Sequence, residues 1–200
     1  MTVKIGILIF DGAEELDFVG PWEVFTMAKS LKPDGCEVTL VAERDAPVRC
    51  AKGMRVLPDT TIAKCVSLDV LLIPGGQGTR REVENKPLLD WIAAIAKSAR
   101  WVTSVCTGAL LLTAAGPARG KKVTTHWGFV ATLRARNEAS EVLDDFRYVQ
   151  DGNIVTAAGV SAGIDMALWL TGQLFSPVFA RQVQRQIEYD PLPPYGGLTR

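Results

Sequence analysis

The sequence carries no surplus of charge, since 22 Lys and Arg residues balance 22 Asp and Glu residues over 200 positions. No basic run exceeds Arg80-Arg81 or Lys121-Lys122, so the basic stripe that nucleic-acid binding needs is missing. Histidine occurs once, as His126, and the four cysteines (Cys36, Cys50, Cys65, Cys106) show no CxxC spacing. That pattern offers no His or Cys partners at metal-ligand intervals. Unpaired cysteines fit a reduced, cytoplasmic setting. No apolar stretch reaches membrane-spanning length. The N-terminus is expected to enter a strand directly, without the charged, apolar and small-residue regions of a signal peptide. Repeats, low-complexity segments and interdomain linkers are also missing.

What is present reads as one globular domain over residues 1–200. A hydrophobic content of 48% with 22% charged residues is ordinary for such a domain, and the length suffices to bury a substantial core. Strand and helix patterns alternate along the chain. Val3–Phe10 is a continuous apolar run, as a parallel strand buried on both faces requires. Phe18–Leu31 then carries apolar residues at helical spacing. Glu37–Ala42 and Leu68–Ile73 read as strands, with a short hairpin or irregular excursion over Pro47–Ile62. Pro87–Lys97 reads as a helix, Lys122–Thr125 as a strand and Trp127–Arg136 as a helix. Asp151-Gly152 between two apolar runs is a hairpin signal. Helices near Ala162–Phe175 and Pro177–Glu188 follow, and the proline-rich tail from Asp190 to Tyr195 is expected to be extended. These elements predict an α/β three-layer sandwich around a mainly parallel sheet. The five tryptophans fall at amphipathic positions that core packing explains.

The most informative stretch is Trp101–Gly116. A β-branched apolar run stops at Cys106 and a helix-forming run starts at once. Strand, sharp turn and helix are how α/β enzymes lift a nucleophile above the carboxyl edge of a sheet. Ser104 and Gly108, small residues two positions on either side, leave room for close helix–strand packing. The helix N-terminus aims its unpaired N–H groups at the sulfur, which predicts a thiolate near neutrality. A buried structural cysteine is the alternative.

Sites in such sheets lie outside the carboxyl ends of the strands, so three segments converge: the loop over residues 11–20, Pro74–Gly78 and Cys106. Gly75 and Gly76 allow a backbone approach and, with the Thr107 N–H, offer a hole for developing negative charge; a plain turn is the alternative. A thiolate needs a proton partner, and Asp17, between Leu16 and Phe18, is positioned to be a buried acid. It fits equally well as a charge at the start of a helix. Glu14 and Glu15 read as solvated. His126, twenty residues after Cys106, reads as a hydrogen-bonded histidine at a strand end in a second shell around the nucleophile, or as the base of a Cys–His couple. Gly159–Gly163 lacks the lysine of a phosphate loop and reads as a turn into a helix.

These motifs resemble the ThiJ/PfpI superfamily, relatives of the class I glutamine amidotransferase fold and flavodoxin-like in plan. The resemblance rests on the loop from Gly12 to Asp17, the Ile73–Gly76 loop and the elbow from Ser104 to Gly108. Within the superfamily the chain is most similar to the isocyanide (isonitrile) hydratases. That likeness is carried by Leu16–Phe25, Cys106–Ala109, Thr124–Trp127, Gly159–Asp165 and Glu188–Pro194. Protease-like members place His directly after the nucleophile, whereas Thr107 follows here. Deglycase and glyoxalase types use Glu where this chain has Asp17. AraC-type relatives add a helix-turn-helix region of roughly a hundred residues, for which a chain ending at Arg200 is expected to have no room.

The resemblance implies a homodimer acting on a small molecule without metal or organic cofactor. It implies hydration of isocyanides to N-substituted formamides through a covalent thioimidate. Cys106 would be the nucleophile, Asp17 the acid and base, and Gly75, Gly76 and Thr107 the groups that orient substrate. Other readings keep the same cysteine: a redox-stress sensor, a chaperone-like dimer, or a glyoxalase- or deglycase-like enzyme.

Overall fold

A computed structural model describes residues 2–191. The strands are β1 (Val3–Leu8), β2 (Cys36–Ala42), β3 (Val48–Arg49), β4 (Arg55–Val56), β5 (Thr60–Thr61), β6 (Val70–Ile73), β7 (Trp101–Val105), β8 (Lys122–Thr124), β9 (Glu141–Leu143), β10 (Tyr148–Asp151) and β11 (Ile154–Ala157). The helices are α1 (Glu15–Leu31), α2 (Thr79–Glu82), α3 (Lys86–Ala96), α4 (Gly108–Ala115), α5 (Val130–Ala135), α6 (Ala162–Leu174) and α7 (Pro177–Gln186). Seven strands form the central sheet in the order β10-β11-β7-β6-β1-β2-β5. All its pairings are parallel except the β10–β11 hairpin. In that hairpin Gly152 takes the positive φ of 65° that the Asp151-Gly152 turn needs.

The sheet is parallel because helical crossovers join β1 to β2 and β6 to β7, and helices cover both of its faces. Helices α1, α6 and α7 pack on one another, and α3 packs on α4. The buried strand positions are accordingly apolar: Ile5, Ile7 and Leu8 of β1 and Leu71, Leu72 and Ile73 of β6 are at most 1% exposed. Each such side chain contributes about 1.5–3 kcal/mol of burial. At the β7–α4 junction a Cβ on Gly108 would collide with the Ile73 carbonyl oxygen. Close helix–strand packing, expected from the small residues around the elbow, is therefore real.

Three local differences from the sequence reading have physical causes. Helix α1 starts at Glu15, not Phe18, so Asp17 lies on its first turn rather than in the loop. Acidic side chains suit that end of a helix, and Pro21, inside the helix, lacks the N–H that would have reached the Asp17 carbonyl. Strand β8 does not join the central sheet but pairs in parallel with β9, a three-residue strand too short to show alternation. Trp127 is 83% exposed, an exception to core packing, whereas Trp101 packs edge-on against Trp169 at 5.4 Å. The part of the tail expected to be extended beyond Pro191 lies outside the described residues.

Candidate active site

The strand–turn–helix elbow at Cys106 forms as the residue pattern requires. Cys106 follows the last residue of β7, has φ +56° and leads through Thr107 into α4. A positive φ at a non-glycine residue is a strained conformation that the surroundings must hold. Here the Cys106 N–H donates to the carbonyls of Ala157 and Ala158 at 3.1 and 2.8 Å. Its own carbonyl accepts from the Thr125 hydroxyl at 2.8 Å. The side chain is nearly enclosed, the residue being 7% exposed.

Asp17, fully buried on the first turn of α1, lies beside the Cys106 side chain of this elbow. Its Oδ2 accepts the Gly75 N–H at 2.8 Å, and its Oδ1 has no partner among the described residues. Burial raises its pKa to about 7, the nearby Glu14 carboxylate adds to the rise, and the Gly75 N–H and the Cys106 thiol restrain it. Glu14 and Glu15 are not simply solvated. Glu14 pairs with Lys52, and Glu15 accepts from the Lys52 and Met54 N–H groups at 2.8 and 3.4 Å.

The thiol departs from expectation. Burial pushes Cys106 up to about 12, and the Asp17 carboxylate pushes the same way. The N–H groups of Thr107 and Val160 and the Thr107 hydroxyl pull it back down. Desolvation thus outweighs the helix N-terminus that the sequence reading relied on. Between the two values the pair holds one proton, and Asp17 is the group beside the sulfur able to take it.

The glycine loop also plays a different part from the expected one. Gly75 donates its N–H to Asp17, and Gly76, with φ +111°, donates to the Thr107 hydroxyl at 3.0 Å. Neither N–H is left for a substrate; both glycines instead hold the Asp17 carboxyl and the Thr107 hydroxyl. A Cβ on Gly75 would strike the Thr107 nitrogen, which is why the loop approaches so closely.

His126 is half-buried at the end of β8, where its Nδ1 accepts the Gly128 N–H at 3.1 Å. Its ring lies tilted on Trp127 at 5.4 Å and packs against Gly159. It makes no hydrogen bond to Cys106, as a structural histidine would not. Together with Thr125, Trp127, Phe146, Gly159 and Val160 it lines a cleft of about 360 Å³, which lies against the elbow through Val160.

Two contributors escaped the sequence reading. Val160 stands at φ +49°, a costly conformation for a β-branched residue, and turns its N–H toward the sulfur. The turn is fixed by Arg147, which binds the Ser161 hydroxyl at 3.2 Å and Asp165 at 2.7 Å. The only sequence signal was the Gly159–Gly163 run, read as a plain turn. Arg80 is the other. Its Nη1 reaches the Gly76 carbonyl at 2.9 Å and the hydroxyls of Thr79 and Thr107 at 3.2 and 3.4 Å. Its guanidinium covers the Phe129 ring at 4.8 Å.

Residues 3–173 match the DJ-1/PfpI family. The chain is 42% identical over 195 residues to the isonitrile hydratase of Pseudomonas putida, covering 98% of this chain and 82% of that protein. It is 29% identical to the protein DJ-1alpha of Drosophila melanogaster, over 90% of this chain and 81% of that one. A crystal structure of a ThiJ/PfpI family protein from Pseudomonas syringae superposes with a TM-score of 0.89 at 33% identity, covering 98% of this chain and 78% of that one.

Proposed function

The chain belongs to the DJ-1/PfpI family, and from that premise we propose that it hydrates isonitriles to N-substituted formamides with Cys106 as nucleophile. The observation that carries this reading is the Asp17–Cys106 pair, a buried carboxyl raised to about 7 beside a thiol on a strained elbow. A general acid and base works best with a pKa near the operating pH. The 42% identity to an isonitrile hydratase supports the substrate class.

The chemistry follows from that pair. Asp17 takes the thiol proton as Sγ attacks the terminal carbon of the isonitrile. Asp17 then returns this proton to the same carbon, giving a thioimidate on Cys106. In the second half Asp17 takes a proton from water, whose hydroxyl adds to the thioimidate carbon, and the proton passes to nitrogen. Collapse breaks the C–S bond and releases the formamide, while the proton of the former water hydroxyl returns to the Asp17–Cys106 pair. The N–H groups of Thr107 and Val160 stabilise sulfur as it gains charge, which is the form of assistance that lowers the barrier to attack. Gly75 and Gly76 hold Asp17 and Thr107 in place. As part of the same reading the protein is a cytoplasmic homodimer, a state that light scattering tests.

The direct experiment incubates the protein and its Cys106→Ser variant with cyclohexyl and aromatic isonitriles and follows loss of the isonitrile stretch by infrared. Conversion by wild type alone is the expected result. No conversion of any isonitrile by wild type would reject the reading, and methylglyoxal would then be the next substrate to try.

A further inference from the structure

Arg80 reaches the Thr107 hydroxyl at the elbow, and it stands apart from the other basic residues around it. Lys52 pairs with Glu14, Arg81 with Glu82 and Arg147 with Asp165. Among the described residues Arg80 faces no carboxylate within ion-pair distance. All its hydrogen bonds run through Nη1, to the Gly76 carbonyl and to the hydroxyls of Thr79 and Thr107. Its Nε and Nη2 make none among the described residues. The side chain is exposed, yet the Phe129 ring beneath the guanidinium and three acceptors around Nη1 set its direction. A planar guanidinium with an uncommitted edge is the donor fork that a carboxylate fills with two parallel hydrogen bonds. The Thr107 hydroxyl ties that fork to the residue directly after the nucleophile, at 3.4 Å.

We infer that Arg80 recognises a carboxylate on the molecule that reacts with Cys106, so that the favoured isonitriles are isocyano acids rather than neutral isonitriles. This rests on the hydratase reading for the reaction but not for the recognition. The acidic groups near the site do not forbid an anion there. Glu14 is neutralised by Lys52, and buried Asp17 carries at most part of a charge near neutrality. The loop carbonyl and hydroxyls that hold Nη1 are uncharged, so the guanidinium keeps its full positive charge for an incoming ligand.

Two alkylating agents that differ in charge test the recognition without any turnover. Iodoacetate and iodoacetamide attack the same sulfur, and the ratio of their rates at Cys106, read by mass spectrometry, reports attraction of the carboxylate. The ratio in wild type should exceed that in Arg80→Gln by about fivefold, the worth of one exposed charge contact. Arg80→Lys should fall between them, and added salt should shrink the difference. A change that slows both reagents alike cancels in the ratio, which therefore reports the charge alone. Equal ratios in wild type and Arg80→Gln would overturn the inference. The second arm compares isocyanoacetate with its methyl ester. Arg80→Gln should lower kcat/KM for the acid several-fold more than for the ester, and an equal loss for both would again overturn it. If wild type converts neither compound, the hydratase reading falls while the alkylation ratio still decides the role of Arg80.

Discussion

Asp17 and Gly75, 58 positions apart in the chain, are joined by a hydrogen bond of 2.8 Å from the glycine N–H to the carboxyl Oδ2. The bond fixes one carboxyl oxygen to the loop after β6 and leaves the other without a partner among the described residues. Helix α1 and the loop after strand β6 thus place the Asp17 carboxyl together.

Asp17→Asn keeps the shape and the Gly75 contact but cannot exchange a proton. Turnover of cyclohexyl isonitrile should fall by about two decades or more, while circular dichroism remains that of a folded protein. Asp17→Glu should retain more activity than Asn because it restores an acid. If Asn turns over at the wild-type rate, proton transfer does not run through this carboxyl.

The same substitution should stabilise the fold. The folded-state pKa of Asp17 lies above its ordinary 3.8, at about 7. Between those values the folded protein binds a proton that the unfolded chain has lost, so stability falls as pH rises through this window. Above about 7 the full penalty is present, about 4 kcal/mol at most from the size of the shift. Asp17→Asn removes it, so Tm should rise by several degrees at pH 8 and hardly at all at pH 4. Thermal melts at the two pH values check the sign, and an equal shift at both would contradict the assignment.

Cys106 should alkylate with iodoacetamide in step with Asp17 ionisation, its rate climbing as pH passes through about 7. Cys50, which burial and the Glu15 charge hold up to about 11, should react slowly and climb evenly with pH, with no inflection near 7. Peptide mapping across pH 5 to 9 distinguishes the four thiols. A Cys106 profile unchanged in Asp17→Asn would disconnect the two residues.

His126→Gln should keep most of the hydratase activity and lose some stability, since the ring caps the segment at Trp127 and packs against Gly159. A loss as deep as that of Cys106→Ser in a folded variant would make this a Cys–His enzyme.

Gly75→Ala should abolish turnover in a protein that still folds, because the new methyl group displaces the Thr107 nitrogen or the Asp17 carboxyl. Crystallography or the alkylation profile would show the shift; wild-type kcat/KM would mean the loop has room that the backbone geometry denies.

The central sheet and the elbow were legible because both are written in local pattern. Apolar runs of strand length end at Gly or at Cys106, and helical periodicity resumes at once. Asp17 and Cys106 could be named as candidates because chemistry restricts which residue types serve. Val160 and Arg80 were hidden for opposite reasons. Val160 acts through its backbone in a conformation that its side chain disfavours, and Arg80 is a surface-type residue that matters only because the loop folds it over Phe129. The direction of the Cys106 shift was misjudged because a helix N-terminus can be read from sequence, whereas burial depends on what the rest of the chain encloses.

The hydrogen bonds from the Cys106 N–H to Ala157 and Ala158 also bear on biosynthesis. The nucleophile is translated some fifty residues before the carbonyls that bend it into place and before the Val160 N–H that faces it. On the ribosome, the chain through β7 and α4 has a cysteine but no elbow to hold it. The bent geometry at Cys106 therefore needs β11 beside β7, because the carbonyls that hold its N–H come from the end of that strand. A truncated or stalled chain would present its thiol as an ordinary one.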